Sequence, residues 1–315
     1  MNQRVFIIII SIIVLLLIII GSASFYFYHV AIASADKAFL DGNPDLAAGS
    51  DVGQPLEDTS AWWTEQAFED WSITSGDGLQ LHAYYLEAKQ PTDRTVILAH
   101  GYSGLPEQMS GYTKMYRDVL GYNVLLPDAR GHGKSEGNYI GFGWPERKDY
   151  VKWINKVIEH TGNDSQIVLH GVSMGGATVM MTSGENLPPN VKAIVEDCGY
   201  TSVTDELSYQ LKRMYHLPSF PIVQLTSLLT KIRAGYTFNE ASALDQIKKS
   251  KTPILFIHGD SDLFVPSEMV YTLYENGPTD KKLFVVPGAG HGKARRVDPV
   301  GYDREVTQFI GNYVK

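Results

Sequence analysis

The stretch from Ile167 to Met181 constrains the fold more than any other part of the chain. Ile167-Val168-Leu169 is a short apolar run. It passes through His170-Gly171-Val172-Ser173-Met174-Gly175 directly into Gly176-Ala177-Thr178-Val179-Met180-Met181, a helix pattern with a small-residue start. A strand that turns straight into a helix leaves almost no room for side chains beside the turn. Gly171 and Gly175 let the backbone double back there. Ser173 at the tip is expected in a strained conformation, with its hydroxyl offered to a base from elsewhere in the chain. The Met174 amide points to where a substrate oxyanion would form. Gly133-Lys134-Ser135-Glu136-Gly137 repeats the spacing, but Asn138-Tyr139-Ile140-Gly141-Phe142-Gly143 after it is poor helix material and no apolar strand abuts it. Ser135 therefore reads as a loop serine.

The rest of the chain supplies the sheet that such a turn needs. A hairpin is expected from Glu69–Thr74, a Gly76-Asp77-Gly78 turn and Leu79–Leu86. Short apolar runs recur at Val96–Ala99, Val124–Pro127, Ile167–Leu169, Ala193–Val195, Ile254–Ile257 and Leu283–Val286. Amphipathic segments separate them, such as Trp144–His160 with Val151, Ile154, Val157 and Ile158 on one face. Apolar strands alternating with helices predict an α/β fold, a mostly parallel sheet covered on both sides. Ligands of such sheets bind beyond the carboxyl ends of the strands, and the polar residues of interest all lie just past such ends.

A serine hydroxyl needs a base, and the base needs a carboxylate to orient it. Of nine histidines, His291 stands apart: it comes after the last apolar run, in the loop Pro287-Gly288-Ala289-Gly290-His291-Gly292. His170 precedes the turn and reads as a structural residue. For the acid, Ile254-Leu255-Phe256-Ile257-His258-Gly259-Asp260-Ser261-Asp262-Leu263-Phe264-Val265-Pro266 offers Asp260 and Asp262 past a strand end, and Asp197 ends the preceding strand run. Asp262 lies deeper in its loop, before an apolar run, and is the favoured acid. Asp260 is better placed to fix the turn, and both it and Asp197 remain alternatives.

Composition narrows the function classes. The 315 residues are 44% hydrophobic and 20% charged, with a net charge of −8. No basic stripe appears, so a nucleic-acid partner is not expected. A single cysteine, Cys198, excludes an intramolecular disulfide and a multi-cysteine zinc site. No Walker motif or dinucleotide loop is present, and no metal or cofactor is expected.

The N-terminus differs in kind. From Val5 to Ile20 only Ser11 is not apolar, and apolar character continues to Ala33. The run is long enough to span a bilayer, and Phe25-Tyr26-Phe27-Tyr28 suits an interfacial belt. The alternative is a signal peptide cleaved near Ala35, after Ala33-Ser34-Ala35. The length favours a retained anchor over residues 1–33. Arg4 before it, with Asp36, Lys37, Asp41 and Asp45 after it, places the main domain outside the cytoplasm. Residues 34–66 read as a linker or lead-in, with Trp62 and Trp63 packing either on the domain or at the membrane surface.

With these residues in place, the chain resembles the α/β-hydrolase superfamily over about residues 68–315. The order Ser173, Asp262, His291 matches that family's Ser…Asp/Glu…His order, and His258-Gly259-Asp260-Ser261-Asp262 resembles its acid loop, whose second aspartate is the triad member. The nearest likeness is to the serine aminopeptidase and monoacylglycerol lipase-like group, including bacterial membrane-tethered hydrolases. The resemblance implies a hydrolase domain over residues 67–315, with a cap inserted at about 201–244. It also implies a second oxyanion donor after Ala99-His100-Gly101-Tyr102, by position the Tyr102 amide beside that of Met174. Asp128, Arg130 and His132 resemble a structural loop beneath the site. The expected activity is a serine hydrolase of small-molecule carboxylic esters. A peptidase or amidase with the same three residues is the first alternative, and a non-catalytic membrane-tethered binding protein the second.

Overall fold

The computed structural model describes residues 3–35, 37–40, 43–47, 60–278 and 280–315. Asp36, Asp41, Gly42 and residues 48–59 of the expected lead-in lie outside them. Eight strands form one sheet: β1 (Glu69–Thr74), β2 (Gln80–Leu86), β3 (Arg94–Ala99), β4 (Asn123–Pro127), β5 (Gln166–Val172), β6 (Val191–Asp197), β7 (Ile254–Gly259) and β8 (Lys281–Val286). Their spatial order is β1-β2-β4-β3-β5-β6-β7-β8. The β1–β2 hairpin is antiparallel, with Glu69 opposite Tyr85 and Thr74 opposite Gln80. β2 also runs antiparallel to β4, and every later pairing is parallel. β4 and β7 are buried at every position, as strands covered on both faces must be.

The longer helices are α1 (Gln3–Phe27), α2 (Glu146–Thr161), α3 (Met174–Ser183), α4 (Val203–Tyr215), α5 (Ile222–Ala234), α6 (Glu268–Asn276) and α7 (Pro299–Gly311). In α2 the stripe Tyr150, Trp153, Ile154 and Val157 is buried at helical spacing, and the helix ends at Gly162 with φ 94°. α3 is buried on every side, which explains its small and apolar residues. α4 and α5 form the insertion between β6 and β7. Register aligns the carboxyl ends: Ala99 pairs with Gly171, Val172 with Asp197, Asp197 with Ile257 and Gly259 with Val286. The loops after β3, β5, β6, β7 and β8 therefore leave at one rim.

α1 is long and apolar enough to cross a membrane, with a mean hydropathy of 3.4 over its most apolar window and none of that window buried. Its end behaves differently from its middle. The helix continues through a wider turn over Tyr28–Ile32, and Tyr28 and Ile32 are buried in the core. The Ile140 amide donates to the Ile32 carbonyl at 2.7 Å, and the Ser34 hydroxyl donates to the Gly131 carbonyl at 2.6 Å. α5 packs alongside α1, with the Arg233 guanidinium 5.3 Å from the Phe25 ring and 5.1 Å from that of Tyr28. The aromatic cluster expected as a belt thus divides. Phe25 and Tyr26 stay exposed, while Phe27 packs edge-on against Tyr215 of α4 at 4.9 Å. Residue 33 falls within this packed junction, because the apolar residues before it bury against the domain. Two described parts of the lead-in also contact the domain: Asp45 pairs with Arg213 of α4, and Trp63 packs on Phe68 at 4.1 Å and Tyr84 at 5.5 Å.

Ile32 has no exposed surface, so Ile32→Ala should cost about 2–5 kcal/mol of stability. Thermal unfolding of the full chain in detergent should show a midpoint several degrees lower. An unchanged midpoint would mean that the helix end detaches freely from the domain.

Candidate active site

β5 ends at Val172 and α3 begins at Met174, so Ser173 alone makes the turn, with φ 59° and ψ −119°. That conformation is strained for a residue with a Cβ, and close contacts on either side hold it. A Cβ on Gly171 would lie 2.1 Å from the Gly175 carbonyl oxygen, and one on Gly175 2.0 Å from that of Ala99. Neither position accepts a side chain. The Ser173 amide donates to the Asp197 carbonyl at 2.8 Å, which fixes the turn against β6.

The histidine and acid loops reach this point from β8 and β7. His291 Nε2 lies 2.7 Å from Ser173 Oγ, and His291 Nδ1 lies 2.8 Å from Asp262 Oδ2. All three residues are buried or nearly so. Asp262 Oδ1 accepts the Phe264 and Val265 amides, each at 2.9 Å. His258 completes its shell, with Nε2 3.2 Å from Asp262 Oδ2 and 2.9 Å from the Val265 carbonyl. A carbonyl only accepts, so His258 Nε2 carries a proton. Burial alone would push the Asp262 carboxyl up, yet the His291 and His258 rings hold it well below the usual carboxylate range. Burial also opposes charge on His258, but its hydrogen bond to Asp262 raises its pKa.

The structure separates the three candidate acids. Asp262 reaches His291. Asp260 accepts the Gly288 amide at 2.7 Å and so ties the histidine loop to the acid loop. Asp197 accepts the Tyr302 hydroxyl at 2.9 Å. That hydroxyl in turn lies 3.1 Å from His170 Nε2, and His170 Nδ1 lies 3.0 Å from the Tyr116 hydroxyl. His170 is thus satisfied within the core, and burial lowers its pKa to about 3. Ser135 Oγ donates to the Asp128 carbonyl at 2.7 Å and accepts the His82 amide at 2.8 Å, so its hydroxyl is engaged by the loop after β4 and by β2. Arg130 is paired with Asp149 and Asp77, and His132 contacts the Arg130 carbonyl at 3.0 Å.

Met174 opens α3, so its N–H is one of the helix's orphan donors. The loop after β3 passes over Ser173: a Cβ on Gly101 would lie 3.5 Å from Ser173 Cβ. His100 Nε2 accepts the Ala129 amide at 3.1 Å, so its Nδ1–H donates to the Gly101 carbonyl at 2.9 Å. In a planar trans peptide this turns the Tyr102 N–H to the side opposite that carbonyl.

A pocket enclosing about 840 Å³, partly open to solvent, lies over Ser173 and Met174. Its polar lining is Ser173, Glu206, Gln210 and Thr226, and the remaining side chains are apolar or aromatic. Glu206 is buried with only Oε1 satisfied, by Gln210 at 2.8 Å, and burial raises its pKa to about 8. Cys198 Sγ lies within 4.8 Å of ligand atoms of Asp262 and His291, but burial pushes the thiol up. A protonated thiol is the wrong form for a metal ligand.

Sequence reading missed His258, Glu206 and the contribution of the first helix. His258 was legible in principle, since it stands four residues before Asp262 at a strand end. Nothing in the sequence ties residues near 30 to a pocket built around residue 173.

Comparisons with known proteins bear on the fold. The profile of the alpha/beta hydrolase fold family matches residues 94–221. YqkD, an uncharacterised protein of Bacillus subtilis, is 30% identical over 240 residues, covering 76% of this chain and 78% of that one. The membrane protein YNL320W of Saccharomyces cerevisiae is 25% identical over 234 residues, 71% of this chain and 73% of that one. Among solved structures, the Pyrococcus furiosus esterase Pf2001 superposes with a TM-score of 0.63 at 25% identity, over 79% of this chain and 94% of that one. The chain belongs to the α/β-hydrolase fold family and is a hydrolase of that class.

Behind the serine, Glu196 is fully buried; its Oε2 accepts the Gly199 amide at 3.0 Å and its Oε1 has no partner. Burial raises its pKa to about 8. The folded protein therefore holds a proton that the unfolded chain releases above about pH 4.5. This contribution to stability is complete below that pH and is lost as the pH rises through 8. Melting curves from pH 5 to pH 8 should show a falling midpoint, and Glu196→Gln should flatten part of that slope. An identical slope in the variant would place the buried proton elsewhere.

Proposed function

We propose that the protein is a serine hydrolase that cleaves carboxylic esters through an acyl-enzyme, with Ser173, His291 and Asp262 as its triad. The observation that carries this reading is the unbroken run of contacts from Ser173 Oγ to His291 Nε2 at 2.7 Å and from His291 Nδ1 to Asp262 Oδ2 at 2.8 Å. Asp262 fixes the tautomer in which Nε2 is free to accept. Ser173 Oγ then attacks the ester carbonyl while its proton passes to Nε2. The carbonyl oxygen gains charge between the Met174 and Tyr102 amides, the oxyanion donors. As the tetrahedral intermediate collapses, the imidazolium returns the proton to the leaving alcohol. Water, deprotonated by His291, then attacks the acyl-Ser173 ester, and the imidazolium returns that proton to Ser173 Oγ as the acid departs. Each step balances with water as the sole co-reactant.

An ester is favoured over an aminoacyl substrate by the character of the pocket. Its walls are mostly apolar, and Glu206, with its pKa raised to about 8, is largely uncharged at neutral pH. Such a wall suits a neutral acyl group better than an ammonium group. The likeness to the Pyrococcus esterase supports the same choice. We read residues 1–33 as a retained anchor, followed by a lead-in to residue 66 and a hydrolase domain over 67–315 with its cap at about 201–244. The burial of Tyr28 and Ile32 supports retention over cleavage near Ala35. Arg4 ahead of the apolar helix supports reading the hydrolase domain as extracytoplasmic.

A fluorophosphonate probe should label the wild type, and Ser173→Ala should abolish labelling while Ser135→Ala leaves it intact. An unlabelled wild type would favour the binding-protein reading. A short-chain aryl ester should be turned over faster than an aminoacyl arylamide, and the reverse order would make the protein a peptidase.

Asp262→Asn should lower kcat about 10³–10⁴-fold, the scale expected when the imidazole loses its correct tautomer. Asp260→Asn, which only loosens the loop tie, should cost far less. Equal losses in the two variants would refute the assignment of the acid.

A further inference from the structure

We infer that the end of the N-terminal helix is a specificity element of the hydrolase: Phe27 and Val30 form a wall against which the acyl chain of the substrate lies. This rests on the ester-hydrolase reading and deepens it, by assigning acyl-chain selection to residues of the anchor. Phe27, Val30 and Ala31 line the same pocket as Ser173. They stand at positions i, i+3 and i+4, so they share one face of the chain as it leaves the anchor. Tyr28 and Ile32, on the neighbouring face, are buried in the domain and set the depth of the segment.

The carbonyls of this segment are taken up by side chains of the domain and the lead-in. Tyr102, in the loop over Ser173, donates its hydroxyl to the Ala31 carbonyl at 2.7 Å. Lys37 folds back and donates to the carbonyls of Val30 at 2.8 Å and Ala33 at 2.6 Å, with its ammonium 5.5 Å from the Tyr102 ring. Phe27 is held by Tyr215 of α4. A wall fixed at both ends by the oxyanion loop and the cap cannot swing away as a free tether would.

An apolar wall recognises an unbranched hydrocarbon chain, and each methylene buried against it is worth about fourfold in affinity. Filling the wall should therefore penalise long acyl chains in proportion to their length, and opening it should admit longer or branched ones. The full chain in lipid nanodiscs is assayed with p-nitrophenyl acetate and p-nitrophenyl decanoate, and the ratio of kcat/KM values, decanoate over acetate, is compared between variants. Val30→Trp should lower that ratio tenfold or more. Phe27→Ala should raise acceptance of longer or branched chains relative to acetate. Leu16→Trp, the same kind of change in the exposed middle of the anchor, should leave the ratio as in the wild type. Fluorophosphonate labelling reports whether each variant is folded, and Phe27→Ala decides the matter if Val30→Trp is not labelled. A ratio within twofold of wild type in the folded wall variants, or an equal shift in Leu16→Trp, overturns the inference. An unlabelled wild type instead overturns the ester-hydrolase reading beneath it.

Discussion

The close approach of α3 to strand β3 is the constraint on which the rest of the structure depends. With a Gly175 Cβ only 2.0 Å from the Ala99 carbonyl oxygen, this helix starts where a side chain would otherwise force the layers apart. That closeness lets one residue, Ser173, make the whole turn, at a φ of 59° that other contacts must hold. The same closeness buries α3 on every side and brings the loop after β3 over the serine. Strain at one residue is thus offset by packing along a whole helix, and the hydroxyl is fixed in place without a loop of its own.

Four buried carboxyl groups, Glu196, Asp197, Glu206 and Asp262, lie near one another, and they do not behave alike. Burial raises Glu196 and Glu206 to about 8 and Asp197 to about 6. Asp262 moves the other way because its burial is outweighed by the His291 and His258 rings, by charge and by hydrogen bond. The neighbouring imidazoles, rather than depth, keep this carboxyl ionised. At neutral pH Glu196 and Glu206 are largely protonated, while the Asp262 charge stays where an imidazolium would need it. The two buried glutamates thus add little repulsion to the charges of Asp262 and Asp197.

Much of this was legible in the sequence, for physical reasons that differ from element to element. The strands were visible because parallel strands buried on both faces must be apolar runs, and the hairpin because its alternation and glycine turn leave few other options. Ser173 was set apart from Ser135 by its downstream neighbours, since only Ser173 has a helix to run into. Asp262 was favoured over Asp260 by depth in the loop, which the Phe264 and Val265 amides account for. His258, Glu206 and the helix end were not read, because their roles depend on contacts between distant segments. The Tyr102 hydroxyl meets the Ala31 carbonyl across 71 residues, and no local pattern encodes such a meeting.

That contact bears on what the first helix is for. A tether needs length and apolar character, and α1 supplies both before Gly21, where its apolar side chains are largely exposed. The residues after it are under a second demand, since they must fit a folded surface. Ser24, Tyr28 and Ile32 recur at intervals of four and are all buried, which makes one stripe facing inward from the helix's end. Cleavage near Ala35 would strip that stripe from the core, remove the acceptor of the Tyr102 hydroxyl and open the pocket on one side. On the proposed reading, the anchor and the hydrolase are one folded unit, and the distance from the bilayer to Ser173 is fixed by packing rather than by the reach of a linker.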